Sequence, residues 1–160
     1  MRLTREPFRQ RDQTYFVTFQ TAQRMYCFRN ERWALELLNT LQRYKDDFDL
    51  HDFVIMPDHV HLLLSPDCPL ERAVQLIKGG FSFSARRAFE WKGDIWQAGF
   101  SDHRIRDERD WLEHLAYIKR NVSSLCQERY RFCGENAGLA LASVPPWLKP
   151  LNEDDLYWRG

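Results

Sequence analysis

Several features are missing from this chain, and each absence narrows the reading. No two of its four cysteines, Cys27, Cys68, Cys126 and Cys133, stand in a C-x-x-C pair. That excludes the common zinc-ribbon and dithiol redox motifs. No apolar run approaches membrane-spanning length, and the opening residues MRLTREPFRQR hold no apolar leader core. A cytoplasmic protein with reduced thiols and no membrane partner is expected. There is no net charge to advertise a polyanionic partner, with 23 basic against 23 acidic residues. There is also no internal repeat.

What is present fits one domain with a substantial core, since the chain has 160 residues. Residues 1–140 are expected to form that domain. Residues 141–160 are expected to form a tail that docks through Trp147 and Trp158 or stays mobile. Aromatics make up 14% of the chain, enough for a core and for stacking platforms that hold bases. Charge is unevenly spread: residues 1–30 hold six arginines, while residues 46–58 hold five aspartates and no Lys or Arg. A local basic patch is therefore compatible with overall neutrality.

Residues 13–21, QTYFVTFQT, alternate and are rich in β-formers, so they predict a strand. Asn30 is placed to cap a helix from Glu31 to about Lys45, with Trp33, Leu37, Leu38 and Leu41 at helical spacing. His51–Met56 and His59–Ser65 are apolar runs joined by Pro57-Asp58, a tight link between antiparallel strands. Both runs are apolar on both faces, which predicts central places in a covered sheet. Leu70–Phe89 predicts a helix with Leu70, Val74, Ile77, Phe81 and Ala85 as its core stripe. The Gly79-Gly80 pair interrupts it and predicts a kink or a close approach by another backbone. A fourth strand falls within Ile95–Arg106, and Asp107 or a neighbour caps a helix to about Val122. The order β-α-β-β-α-β predicts an α+β, ferredoxin-like split βαβ fold. Its four-stranded antiparallel sheet carries helices on one face, with an added C-terminal helix.

The stretch MPDHVHLLLS poses the chemical question. On a strand, His59 and His61 share one face, about 7 Å apart. Imidazoles on a covered strand need hydrogen bonds or a ligand. Metal coordination answers that need, and so do backbone or carboxylate partners; spacing alone leaves both open. In HLAYIKRNV, residues 114–122, Trp111, Leu115, Ile118 and Val122 form the buried stripe. Asp110, His114, Tyr117 and Asn121 form a second stripe roughly a quarter-turn away. Taken alone, Tyr117 reads as a structural tyrosine with a wet hydroxyl.

Taken in order, Asp58-His59-Val60-His61-Leu62, Lys78, WQAGFSDHRIRDERD and Tyr117-x-x-x-Asn121 resemble the REP-associated tyrosine transposases. These belong to the single-tyrosine, histidine–hydrophobe–histidine (HUH) transposases. The resemblance covers roughly residues 13–122. It departs where the family has Asn-Pro after the tyrosine helix motif: Val122 stands in place of that proline.

The resemblance implies that His59 and His61, with Asn121, hold a divalent metal, Mg²⁺ or Mn²⁺. It implies that Tyr117 is the catalytic nucleophile and forms a 5′-phosphotyrosine link to DNA. The implied substrate is single-stranded DNA folded into imperfect palindromic hairpins, cut and rejoined by a monomer or homodimer. Lys78, Arg86, Arg87, Arg104 and Arg106 are the candidate DNA-binding residues, and the N-terminal arginines could grip a hairpin foot. His103 reads as a satisfied strand-end histidine. A histidine-triad hydrolase is excluded because Leu63 stands where that family has its nucleophilic histidine. The remaining alternatives are a non-catalytic module that binds structured nucleic acid on the same fold and a plain structural protein, which absence of any DNA binding would favour.

Overall fold

The computed structural model describes residues 12–125 and 132–148. The arginines at 2, 5, 9 and 11, Cys126 and Trp158 lie outside them. Four strands, β1 (Tyr15–Gln20), β2 (Phe48–Ile55), β3 (His59–Pro66) and β4 (Ser101–Arg104), alternate with α1 (Glu31–Arg43), α2 (Leu70–Phe89) and α3 (Glu108–Ser124). The sheet order is β2-β3-β1-β4 with every neighbour antiparallel. This is the split βαβ arrangement read from the sequence.

Local chemistry sets the helix starts. Asn30 Oδ1 accepts from the Arg32 N–H at 3.0 Å, and Asp107 Oδ1 accepts from the Asp110 N–H at 2.8 Å. Each satisfies a donor that the first helical turn would leave bare.

Strand alternation then divides the side chains into two sets. Val17, Phe19, Val60, Leu62 and Leu64 pair across β1 and β3 and point to the layer built by α1 and α2. There Phe19 meets Trp96, which packs on Phe81 of α2. Phe19, Phe53, Phe81, Leu62 and Ile77 are all fully buried, each worth roughly 1.5–3 kcal/mol of burial. The other set, with Phe16, Thr18, His61 and Ser65, faces α3. This third helix therefore lies on the sheet face opposite the first two.

One strand sits elsewhere than its sequence suggests. β3 is central, but β2 is at the sheet edge. Its apolar character has another cause: the chain after residue 131 covers it. Ile55 N donates to Phe132 O at 2.9 Å, and Ala142 N donates to Leu50 O at 2.8 Å. An edge so covered needs no charges to guard it. β4, the other edge, is short and polar, with Asp102, His103 and Arg104. A register shift between Leu50 and Asp52 is a β-bulge, which turns His51 to the α3 face. There its Nε2 meets Ser65 Oγ and its Nδ1 meets Ser143 O, both at 2.8 Å. Burial holds its pKa below the ordinary histidine value. Trp147 Nε1 donates to Thr14 Oγ1 at 3.0 Å.

The glycine pair does not break α2, which runs unbroken from Leu70 to Phe89. The close approach is made by a side chain instead. A Cβ on Gly80 would lie 2.6 Å from the Tyr44 ring, whereas one on Gly79 would meet nothing within 4 Å. The two alanine variants should therefore diverge. Gly79→Ala is expected to raise stability by about 0.5–1 kcal/mol through helix propensity. Gly80→Ala should lose that gain to displacement of Tyr44. Thermal melts of both variants check this, and equal shifts would contradict it.

Candidate active site

The Pro57-Asp58 turn is closed by Met56 N donating to His59 O at 2.8 Å. It launches β3 with His59 and His61 on the α3 face. Their rings converge further than the backbone spacing, to a centroid separation of 4.8 Å at 78°. Each Nδ1 is held. Asp58 Oδ1 accepts from His59 Nδ1 at 2.7 Å, and His61 Nδ1 is bonded to Thr18 Oγ1 at 2.7 Å. Because an ionised carboxylate only accepts, His59 carries a proton on Nδ1, and Nε2 is the ring atom left for another partner. Asp58 is disfavoured as an anion by burial, but its bonds to His59 and Arg24 outweigh this. They hold its carboxyl below the usual range.

His61 is 4% exposed. Among the described residues its Nε2 is a buried polar atom with no hydrogen-bond partner. Leaving such an atom unsatisfied costs about 1–3 kcal/mol. Burial, helped by the nearby His59, lowers its pKa from 6.5 to about 4. The ring is thus neutral at ordinary pH, the state in which imidazole binds metals. Two converging rings, each with its Nδ1 anchored, fit a divalent ion. A carboxylate or hydroxyl behind each ligand is the usual supporting arrangement.

The same shift gives a pH expectation. An unfolded histidine protonates near 6.5, while folded His61 does so only near about 4. Between these values the unfolded chain binds more protons, so stability falls as pH drops through that window. From pH 7 to pH 5 this group alone should cost roughly 2 kcal/mol. Asp58 and Asp110, whose carboxyls are held below 3.8, add their losses at still lower pH. Melts of metal-free protein at the two pH values test this, with His61→Gln as the variant lacking the titration. A wild-type melting temperature unchanged at pH 5 would show that His61 protonates freely in the fold.

α3 brings Tyr117 over this pair. Its ring lies 5.3 Å from His61 at 74° and 5.7 Å from Phe16 at 86°, and it is 40% exposed. A cleft of about 500 Å³ joins these groups. β1 contributes Phe16, Thr18 and Gln20, and β3 the two histidines. α3 contributes Glu113, His114, Tyr117 and Arg120, and Arg24 and Ser101 close the ends. Asn121 does not line this cleft. Its Nδ2 donates to Tyr117 O, one turn back, at 2.9 Å, and that bond leaves Oδ1 as an acceptor.

A second constellation forms the wall beyond His114. Asp110 Oδ1 and Oδ2 accept from His103 Nε2 at 2.9 and 2.8 Å. His114 Nδ1 lies 3.0 Å from Oδ1 and donates to Asp110 O at 2.8 Å. Burial opposes the Asp110 charge, but His103 and the Arg106 N–H prevail and hold its carboxyl low. His103 is therefore partnered, as its place at a strand end suggests. The ligand atoms of His103, Asp110 and His114 lie within 4.8 Å of one another, so this group also could hold a metal. It is distinct from the His59–His61 pair.

The cationic candidates are dispersed. Lys78 Nζ donates to Gln97 O at 2.9 Å and Gly99 O at 2.8 Å, and burial lowers its pKa. It fastens the loop before β4. Arg86 Nη1 donates to Gly93 O at 3.1 Å, and the Arg87 guanidinium lies 5.6 Å from the centroid of the exposed Phe83 ring. All three stand on α2, across the sheet from the histidines. Arg104 pairs with Tyr15 across the β1–β4 ladder, and the Arg106 backbone N–H donates to Asp110 Oδ2 at 2.9 Å. The sequence reading passed over Thr18, Arg24, Glu113 and Arg120 in the cleft. Asp58 opens the motif Asp58-His59-Val60-His61-Leu62, and its place next to His59 is what lets it hold that ring. Thr18 could not have been found, because it meets His61 only through the β1–β3 register.

These features define an α+β domain with a paired-histidine, single-tyrosine cleft on the sheet face opposite its two crossover helices. The family profile described as "Transposase IS200 like" matches residues 10–121, and the chain belongs to that family. A Haemophilus influenzae protein predicted to be a REP-associated tyrosine transposase is 34% identical, over 46% of this chain and 49% of the relative. A second Haemophilus influenzae protein, with no assigned role, is 31% identical, over 45% of this chain and 53% of its own length. The chain spans about half the length of these curated relatives. A solved REP-associated tyrosine transposase bound to a REP hairpin superposes with a TM-score of 0.60 at 25% identity. That match covers 78% of this chain and 74% of the other. A Deinococcus radiodurans R1 chain predicted to be a transposase shares the fold, with a TM-score of 0.52 at 23% identity, over 76% and 98% of the two chains. Among the described residues, no helix is long and apolar enough to cross a membrane.

Proposed function

We propose that this protein is a single-stranded DNA endonuclease and strand transferase that cuts and rejoins DNA beside hairpins. The solved relative's REP hairpin supports that choice of substrate. The observation that carries the chemistry is the buried, unpartnered Nε2 of His61, set beside His59 and beneath Tyr117.

Tyr117 is the nucleophile. Its phenolic oxygen attacks the phosphorus of a DNA phosphodiester and the bond to the 3′ oxygen breaks. The products are a free 3′-OH and a 5′ phosphate joined to the tyrosine. The link conserves the phosphodiester, so a 3′-OH can attack it and release Tyr117. Phosphoryl transfer asks mainly for positioning and charge neutralisation.

His59 and His61 would hold a divalent ion, Mn²⁺ or Mg²⁺, with Asn121, one turn beyond Tyr117 on α3, as the third donor. When bound, that ion polarises the scissile phosphate. A mixed nitrogen and oxygen set suits Mn²⁺ somewhat better. Phe16 positions Tyr117 edge-on, and Asp58 and Thr18 orient the imidazoles. Lys78, Arg86, Arg87, Arg104 and Arg106 are assigned to the DNA path outside the cleft. Lys78 acts there through the loop it fastens.

The test is denaturing electrophoresis of labelled single-stranded hairpin DNA mixed with protein and Mn²⁺, beside an EDTA control. Label should move onto protein only with metal. Intact hairpin binding with neither adduct nor cut would favour a binding module on the same fold.

A further inference from the structure

We propose that Arg24 is the phosphate clamp of this cleft, with one edge of its guanidinium fixing Asp58 and the remaining N–H groups binding the scissile phosphate. The inference rests on the DNA-cleaving reading above and adds a catalytic residue to it.

The backbone supplies the first observation. Gln23 and Arg24 are consecutive non-glycine residues in the left-handed region, at φ 53° and 55°. L-residues with full side chains avoid this conformation unless their surroundings impose it, and such strain gathers at functional sites. Here the surroundings do impose it. Thr21, fully buried, donates from Oγ1 to Met25 O at 2.8 Å and from its backbone N to Asp58 O at 2.9 Å. Ala22 N donates to Ile95 O at 2.8 Å. The turn is pinned to the β2–β3 hairpin and to the strand-like segment at Ile95, and it delivers Arg24 to the cleft.

The side chain supplies the second. Arg24 Nε donates to Asp58 Oδ2 at 2.8 Å, while the side chain as a whole stays 55% exposed against 11% for Asp58. Among the described residues Asp58 is its one acceptor. A guanidinium carries five N–H donors, so the two outer nitrogens keep donors to spare, and Arg24 lines the cleft together with His59, His61 and Tyr117. Asp58 spends its other oxygen on His59. Asp58, Arg24 and His59 thus form one chain, and its far end is a planar fork shaped for phosphate oxygens.

Electrostatics supplies the third. Glu113 lines the cleft, and the Asp58 carboxylate stands next to the cleft behind His59 and Arg24, where its charge would repel a DNA phosphate. Arg24 cancels that charge on one side and presents positive charge on the other. Arg120 lies on α3 with its guanidinium 5.8 Å from the Tyr117 ring centroid. A phosphate between His61 and Tyr117 would have a cation on either wall. A lysine at position 24 would offer a single ammonium, unable to bond Asp58 and a phosphate in the same forked geometry.

The experiment measures single-turnover adduct formation on a labelled hairpin for wild type, Arg24→Ala, Arg24→Gln and Arg24→Lys. Hairpin affinity and Mn²⁺ affinity are measured on the same samples, the latter by calorimetry. Adduct formation should fall about 100-fold in all three variants. Hairpin affinity should stay within about five-fold and Mn²⁺ affinity within about three-fold. A hairpin with a neutral methylphosphonate at the mapped cut site should slow wild type strongly and Arg24→Ala little further. Arg24→Gln serves if the alanine variant fails to fold. Wild-type adduct with an equally fast Arg24→Ala overturns the inference. So does a loss fully restored by excess Mn²⁺, which would mean that Arg24 acts only through His59. No wild-type adduct at all overturns the cleavage reading and this inference with it.

Discussion

Tyr117→Phe is expected to lose adduct formation and cleavage by at least about 1,000-fold while binding hairpin DNA as wild type does. The substitution removes one hydroxyl and keeps the ring. The ring's contacts with Phe16 and His61 therefore survive, and so should the fold. With the side chain 40% exposed, the hydroxyl contributes little to stability, within about 0.5 kcal/mol. The rate loss is large because a covalent mechanism without its nucleophile has no slower version of itself to fall back on. A denaturing gel of the variant with labelled DNA and Mn²⁺ measures the loss, and a gel shift measures binding. Cleavage at the wild-type rate would assign the nucleophile elsewhere.

His61→Ala is expected to weaken Mn²⁺ binding at this pair by at least about 100-fold, because removing a ligand exceeds the 10–100-fold cost of disturbing a supporting residue. Cleavage should fall in parallel. Stability should change less than the ring's burial suggests. Truncation leaves a void against Phe16 and strands Thr18 Oγ1, at about 1–3 kcal/mol. It also removes a buried nitrogen that has no partner, which returns a similar amount. Calorimetry with Mn²⁺ and a thermal melt separate the two effects. Unchanged Mn²⁺ affinity in the folded variant would place the ion elsewhere, with His103, Asp110 and His114 as the next group to test.

The parts of this molecule that follow from short-range rules were legible in its sequence. The apolar stripe of α2 is buried as its periodicity implies: Leu70, Val74, Ile77, Phe81 and Ala85 all lie in the core. Asn30 and Asp107 cap the helices their positions suggest, and the i, i+2 spacing puts His59 and His61 on one face. What was not legible depends on residues distant in the chain. β2 reads as central because its edge is covered by residues some 80 positions later. The Gly79-Gly80 pair reads as a break because nothing local reveals that Tyr44 fills the space beside Gly80. Lys78 reads as a free cation because its acceptors are backbone carbonyls, which leave no mark in a sequence. Arg24 was hidden for a related reason: its left-handed backbone is imposed by Thr21 and the hairpin and not by its own residue type.

The late cover on β2 has a consequence for how the molecule is made. A chain leaving the ribosome presents β1, β2 and β3 well before Phe132 and Ala142 exist to bond Ile55 and Leu50. Through that interval the β2 edge is open to any neighbouring nascent chain. The segment 132–148 therefore closes this edge only after the three long strands have been made. Truncated products lacking it would be the species most prone to aggregate in the cell.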